Sequence, residues 1–188
     1  MTDNAHYLQR ALDQIDRVIA QVPADALAAP TPCDDYDVTA LINHLTVVAN
    51  RLTAAASDGP AQAPAPEPEA IARWETAHDA VTAAIQAANP ATMAHLPFGQ
   101  MPLDAAFAVY VGEFTTHGWD LAVALGRSDL LDDNLAEIAV RQVTARIPDA
   151  PRDRTPFGDV VAVAHDAPAY DRLAGWMGRD PKPWRTAS

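Results

Sequence analysis

Apolar side chains recur at helical spacing along most of this chain, and prolines cut the pattern into separate rods. Leu8, Leu12, Ile15, Ile19 and Val22 stand at i, i+4, i+7, i+11 and i+14, one stripe of a helix predicted over about 3–21 and closed by Pro23. Two prolines in the stretch Pro30-Thr31-Pro32-Cys33 exclude continued helix. Asp37 is a fitting N-cap for a second helix over about 38–57, with Val38, Leu41, Ile42, Leu45, Val48 and Leu52 as its stripe. A Pro/Ala stretch at 58–68 links it to a third helix over about 69–88, carrying Ile71, Trp74, Ala77, Val81 and Ile85. Residues 89–101 hold two prolines and a glycine and read as a connection. The fourth helix, about 103–125, carries Phe107, Val111, Phe114, Leu121 and Leu125, with Gly126 as its stop. Each rod must bury its stripe against another. Four such segments predict an all-α four-helix bundle over about 3–126. A C-terminal extension over about 129–188 adds a fifth helix near 134–146, ended by Pro148 and Pro151. It also holds a β-branched run at Val160–Val163 and a small helix near 169–177. The whole is read as one domain, because neither side of the Pro/Ala stretch holds a complete core alone.

Charge and cysteine usage narrow the function. A formal net charge of −12 argues against nucleic-acid and anionic-membrane partners, since phosphate binding needs a basic face. The single cysteine, Cys33, excludes an internal disulfide framework and suits a reducing compartment. The first residues, Met1 to His6, are polar, with no apolar signal core. No apolar run approaches the roughly 20 residues of a membrane span. The expectation is a cytoplasmic protein, monomeric or homodimeric.

Three candidate metal ligands stand out. Glu113 and His117 are four residues apart, so on a helix they project from one face. They share a stripe with Tyr110 and Leu121, where a charged glutamate is costly unless paired or bound to a cation. His44 lies on the inward arc of the second helix, beside Leu41, Leu45 and Val48. Two imidazoles and one carboxylate between facing helices would make a three-ligand site with an open position. Asp120, one turn past His117, could accept the free N–H of that imidazole and fix its tautomer. Blander readings stand beside each: an i,i+4 surface pair for Glu113 and His117, a satisfied core histidine for His44, and a pairing with Arg127 for Asp120. His6 lies near the terminus, His78 and His95 lie on or after the third helix without partners at useful spacing, and His165 stands beside Asp166 in a tail that could fold over the bundle mouth; none of the four is read as a ligand. Cys33 is read as a small residue in a turn, with a reactive thiol as the alternative.

The motif Thr31-Pro-Cys-Asp-Asp-Tyr-Asp-Val-Thr-Ala-Leu-Ile-Asn-His44-Leu resembles the helix-two signature of DinB-like metal-binding proteins. The branch it resembles is the mycothiol-dependent maleylpyruvate isomerase N-terminal domain. Glu113-Phe-Thr-Thr-His117-Gly-Trp-Asp120-Leu-Ala is similar to its second signature, and the stretch from Phe157 to Pro181 to the ending of short stand-alone actinobacterial members. The usual tryptophan of the first signature is Tyr36 here. The isomerase's additional C-terminal domain, with its functional arginine, exceeds what 188 residues hold. The resemblance implies a bundle with one divalent metal, zinc first and nickel second, on His44, Glu113 and His117. It further implies activation of a low-molecular-weight thiol such as mycothiol, for isomerisation or S-transfer to a small electrophile. The alternative function is a non-catalytic metal- or ligand-binding bundle with a regulatory or resistance role.

Overall fold

A computed structural model describes residues 1–57, 69–149, 152 and 157–185. Among the described residues six α-helices form in the order α1 (Asp3–Ile19), α2 (Val38–Ser57), α3 (Ala70–Ala87), α4 (Leu103–Ala124), α5 (Asp133–Thr144) and α6 (Ala169–Trp176). The first four close a ring: α1 packs on α4 and α3, and α2 packs on α3 and α4. The fold is the all-α bundle that the stripes predict. Its core holds Leu8, Leu12, Ile15 and Ile19 from α1, Leu41, Ile42, Leu45 and Leu52 from α2, Trp74 and Val81 from α3, and Phe107, Val111 and Phe114 from α4. Each such side chain, fully buried, contributes roughly 1.5–3 kcal/mol relative to exposure.

Polar contacts set how the rods align. The Thr2 side chain caps α1 by accepting from the Ala5 amide, and Thr2 and Asn4 both bond Asp104 at the start of α4. Those two helices therefore lie side by side with their N-termini together. Asp37 accepts from the Ala40 amide at 2.8 Å, the cap expected for α2. The Trp74 indole N–H donates to Asp16 at 3.1 Å and pins α3 to α1.

Two expectations need correction. Residues 89–101 are more than a connection: Met93–Leu96 and Gly99–Pro102 pair antiparallel as a short hairpin, β1 and β2, turning at Pro97 and Phe98. Strands this short and mixed in polarity leave no readable alternation. The fourth helix is not amphipathic either. Between Tyr110 and Ala122 every residue except Glu113 is buried, because α5 and α6 cover the side that a four-rod bundle would leave open. The Pro/Ala stretch at 58–68 and Pro151 lie outside the described residues. The fifth helix stops at Thr144, ahead of Pro148, and Gly126 follows α4 with φ +67°. The β-branched run Val160–Val163 forms no strand. Its Val161 amide donates to the Gly175 carbonyl at 2.9 Å and lays the segment along α6.

The C-terminal segment docks through specific bonds. Gln14, with no exposed surface, donates to the Tyr170 hydroxyl at 2.9 Å and accepts from the Asp132 amide at 2.7 Å, joining α1, α6 and the start of α5. Helix α6 ends in a left-handed turn at Gly178 (φ +84°), with the Arg179 amide on the Ala174 carbonyl. A Cβ at Gly178 would stand 3.0 Å from Gly158 Cα, so side chains there are excluded by contact as well as by backbone conformation. This turn sends Arg179 back onto α4. Among the described residues no helix is long and apolar enough to cross a membrane.

Candidate metal centre

Helix α4 presents Glu113 and His117 one turn apart, and α2 brings His44 to meet them. His44 Nε2 is 3.0 Å from Glu113 Oε1, and His117 Nε2 is 3.6 Å from the same oxygen. The two imidazole rings meet edge to face, with centroids 5.0 Å apart. One donor atom from each of the three residues lies within 4.8 Å of the others. His44 and Glu113 each keep 24% of their side-chain surface exposed and His117 keeps 8%, so the cluster reaches solvent through His44 and Glu113 more than through His117.

The charges of this cluster call for a cation. A carboxylate only accepts hydrogen bonds, so His117 Nδ1, 2.9 Å from Asp120 Oδ2, carries a proton. His117 Nε2 then faces a second carboxylate. Burial opposes charging of this ring, yet the hydrogen bonds and charges of Asp120 and Glu113 outweigh it and push its pKa up to about 9. For Glu113, burial works against ionisation, and the bonds and charges from His117 and His44 still hold the carboxyl well below the usual range. In this state the cation between the two acids is a protonated imidazole. A divalent metal at the same place would satisfy the same carboxylate through two nitrogen lone pairs, and the donor set of two imidazoles and one acid suits zinc or nickel. The residues fit the ion that the resemblance implies.

Both imidazoles are held from behind. Asp120 has no exposed surface and receives a fork from Arg179, with Nε 3.3 Å from Oδ1 and Nη2 3.1 Å from Oδ2. The guanidinium also donates to the Met177 carbonyl at 2.7 Å. Arg127, the alternative partner for Asp120, pairs with Asp129 instead. On the other side, the Tyr36 hydroxyl lies 3.3 Å from His44 Nδ1, and its ring stacks on the imidazole at 5.0 Å. The turn that carries Tyr36 is tied by Thr31, whose hydroxyl donates to the Tyr36 carbonyl at 2.7 Å and accepts from the Cys33 amide. The same turn sets Cys33 beside the centre, its Sγ within 4.8 Å of ligand atoms of His117 and Asp120. Burial pushes the Cys33 thiol up, only partly offset by Arg179, which does not favour the reactive-thiol alternative.

Of the other histidines, His78 has partners that spacing along its own helix does not reveal: Asp13 at 3.4 Å and Asp16 at 4.0 Å, both on α1. The sequence reading gives no role in the centre to Arg179 or the Tyr36 hydroxyl, and it singles out Cys33 without placing it beside His117 and Asp120. The one local signal was the Pro-rich turn before α2, which places residues 33 and 36 near the start of the helix bearing His44. Nothing local links Arg179 to Asp120, 59 residues away.

Comparison with known proteins agrees with this architecture. The family description of the mycothiol maleylpyruvate isomerase N-terminal domain matches residues 8–122, more than half of the chain and inclusive of His44, Glu113, His117 and Asp120. Uncharacterised proteins from two strains of Mycobacterium tuberculosis are 34% identical over 176 residues, covering 91% of this chain and 94% of their own length. No solved structure matches. By the family match over residues 8–122, the chain belongs to the mycothiol maleylpyruvate isomerase N-terminal domain family.

Proposed function

We propose that this protein binds one divalent metal, zinc in preference to nickel, through His44, Glu113 and His117, and uses it to activate a low-molecular-weight thiol of the mycothiol type. The observation that carries the metal reading is the convergence of two imidazole nitrogens on one half-buried carboxylate oxygen, at 3.0 and 3.6 Å. Asp120 supports it by holding His117 with Nε2 turned toward Glu113. A metal with three protein ligands keeps a free position, and a thiol bound there loses its proton near neutral pH. The family description, naming mycothiol, supports that class of thiol. His44 and Glu113 face the open side, so the thiol and a small electrophile would enter there, and isomerisation or S-transfer would follow attack by the thiolate.

A second reading is a metal-binding bundle without catalysis. Its nearest further donor is the Cys33 thiol, which groups with His117 and Asp120 and not with His44 and Glu113, so the side chain would have to move to close the shell. One titration separates the two. Purified protein is loaded with zinc, its metal content measured, and mycothiol added while binding heat is followed. The proposal expects about one equivalent of zinc and thiol binding that requires it. Zinc-loaded protein with no affinity for the thiol contradicts the thiol reading, and a Cys33→Ser variant that gains such affinity identifies Cys33 as the closing ligand.

A further inference from the structure

The two imidazoles of the centre are backed by groups of different hydrogen-bonding capacity. Behind His117 stands Asp120, a carboxylate that can only accept, itself clamped by Arg179. His117 Nδ1 therefore keeps its proton whatever lies on the other side of the ring. Behind His44 stands a phenol, which can both donate and accept. In this structure His44 Nε2 is 3.0 Å from the Glu113 carboxylate, so Nε2 carries the proton shared with that acid. A ring with its one proton on Nε2 has its lone pair on Nδ1, 3.3 Å from the Tyr36 oxygen, and the hydroxyl donates. For His44 Nε2 to face a cation, the proton must leave Nε2 and Nδ1 must become the N–H.

We propose that Tyr36 is a positioning residue whose hydroxyl reverses its role at His44, donating to Nδ1 while Nε2–H faces Glu113 and accepting from Nδ1–H when Nε2 faces a metal. This rests on the metal reading above and adds which residue makes the second imidazole available. Two observations favour it. The ring stacking of Tyr36 on His44, at 5.0 Å and 27°, fixes the imidazole plane through either state, so no heavy atom has to move: Nε2 gives its proton to solvent, Nδ1 takes one from solvent, and the hydroxyl hydrogen turns away. The turn under Tyr36 is anchored by Thr31 and by the Tyr36 amide on the Cys33 carbonyl at 2.9 Å, so the phenol oxygen stays where Nδ1 needs it. The centre thus has one arm of fixed tautomer, His117, and one arm, His44, whose tautomer answers to occupancy.

The test compares wild type with Tyr36→Phe, which keeps the stacked ring and removes only the hydroxyl. Imidazole nitrogens are assigned by 15N NMR before and after one equivalent of zinc, and zinc Kd is measured by chelator competition. Expected in the wild type is a His44 Nε2–H tautomer without zinc and Nδ1–H with it, while His117 keeps Nδ1–H throughout. Tyr36→Phe should weaken zinc roughly tenfold, the low end for loss of a ligand's outer partner. In a His44→Ala background the same change should leave the residual zinc affinity as it was, because Tyr36 acts through His44. Equal Kd for wild type and Tyr36→Phe overturns the proposal while leaving the metal reading intact. So does a further loss in the His44→Ala background, or a His44 ring that keeps Nε2–H with zinc bound. Wild-type protein that holds no zinc overturns this proposal and the metal reading together.

Discussion

Helices α2 and α4 meet at the same cluster under opposite conditions. Along α4, twelve of the thirteen residues from Tyr110 to Ala122 are buried, and His117 and Asp120 are satisfied by each other and by Arg179. Along α2, His44 sits at the edge of a stripe with a quarter of its side chain exposed, and it leans on one phenol and one carboxylate. Charged groups inside a packed helix are costly unless every one is paired, so the α4 arm is bound up with the fold. The His44 side chain itself carries little packing. The difference predicts that substitutions at His117 and Asp120 cost stability, while those at His44 cost chiefly ligand affinity.

The sharpest way to break that contrast is Asp120→Ala. It leaves the Arg179 guanidinium and the His117 ring buried without their partner, and unfolding in urea should show a loss of about 3–5 kcal/mol. A loss below about 1 kcal/mol would mean that the α4 arm is not part of the core as described. Next in size is His44→Ala, for which zinc affinity should fall more than about a hundredfold, beyond the range for outer partners. The urea midpoint without metal should shift by no more than about 1 kcal/mol equivalent.

The pH dependence follows. His117 in the folded protein holds its proton to about pH 9, against an ordinary value of 6.5. Its contribution is therefore complete below pH 6.5 and is lost as pH rises through 9. Metal-free protein should lose on the order of 2–3 kcal/mol between pH 6.5 and 9, followed by thermal melting across that range. A melting temperature flat over that interval would show that His117 is not held as the cation between two acids. Smallest is Arg179→Lys, which keeps the charge but cannot form the two-pronged contact with Asp120, and should cost about 1 kcal/mol in the same unfolding measurement.

How much of this was legible in the chain follows from the range of each interaction. The stripes of α1, α2 and α3 are local, and their apolar spacing located those helices to within a few residues. Glu113 with His117, and His117 with Asp120, are also local, since helical periodicity sets them one turn apart. The burial of α4 on all sides was not legible, because it depends on α5 and α6 returning across it. Helix α4 still reads as one more striped rod when its own residues are considered alone. The hairpin at Met93–Pro102 was hidden by its brevity and by Pro97. Arg179 reaches Asp120 only because Gly178 turns the chain against Gly158, a contact that no window of sequence contains. Tyr36 was visible as a substitution in a familiar motif. That its hydroxyl meets His44 Nδ1 depends on the fold of the turn between Thr31 and Asp37.

The central claim is that one divalent ion belongs between α2 and α4. Crystals of the protein grown with zinc and without chelator, measured on both sides of the zinc absorption edge, test it most directly. The account predicts a single strong anomalous peak about 2.0–2.2 Å from His44 Nε2, Glu113 Oε1 and His117 Nε2. No peak at that point, with His44 still bonded to Glu113 and His117 still between its two acids, would contradict it.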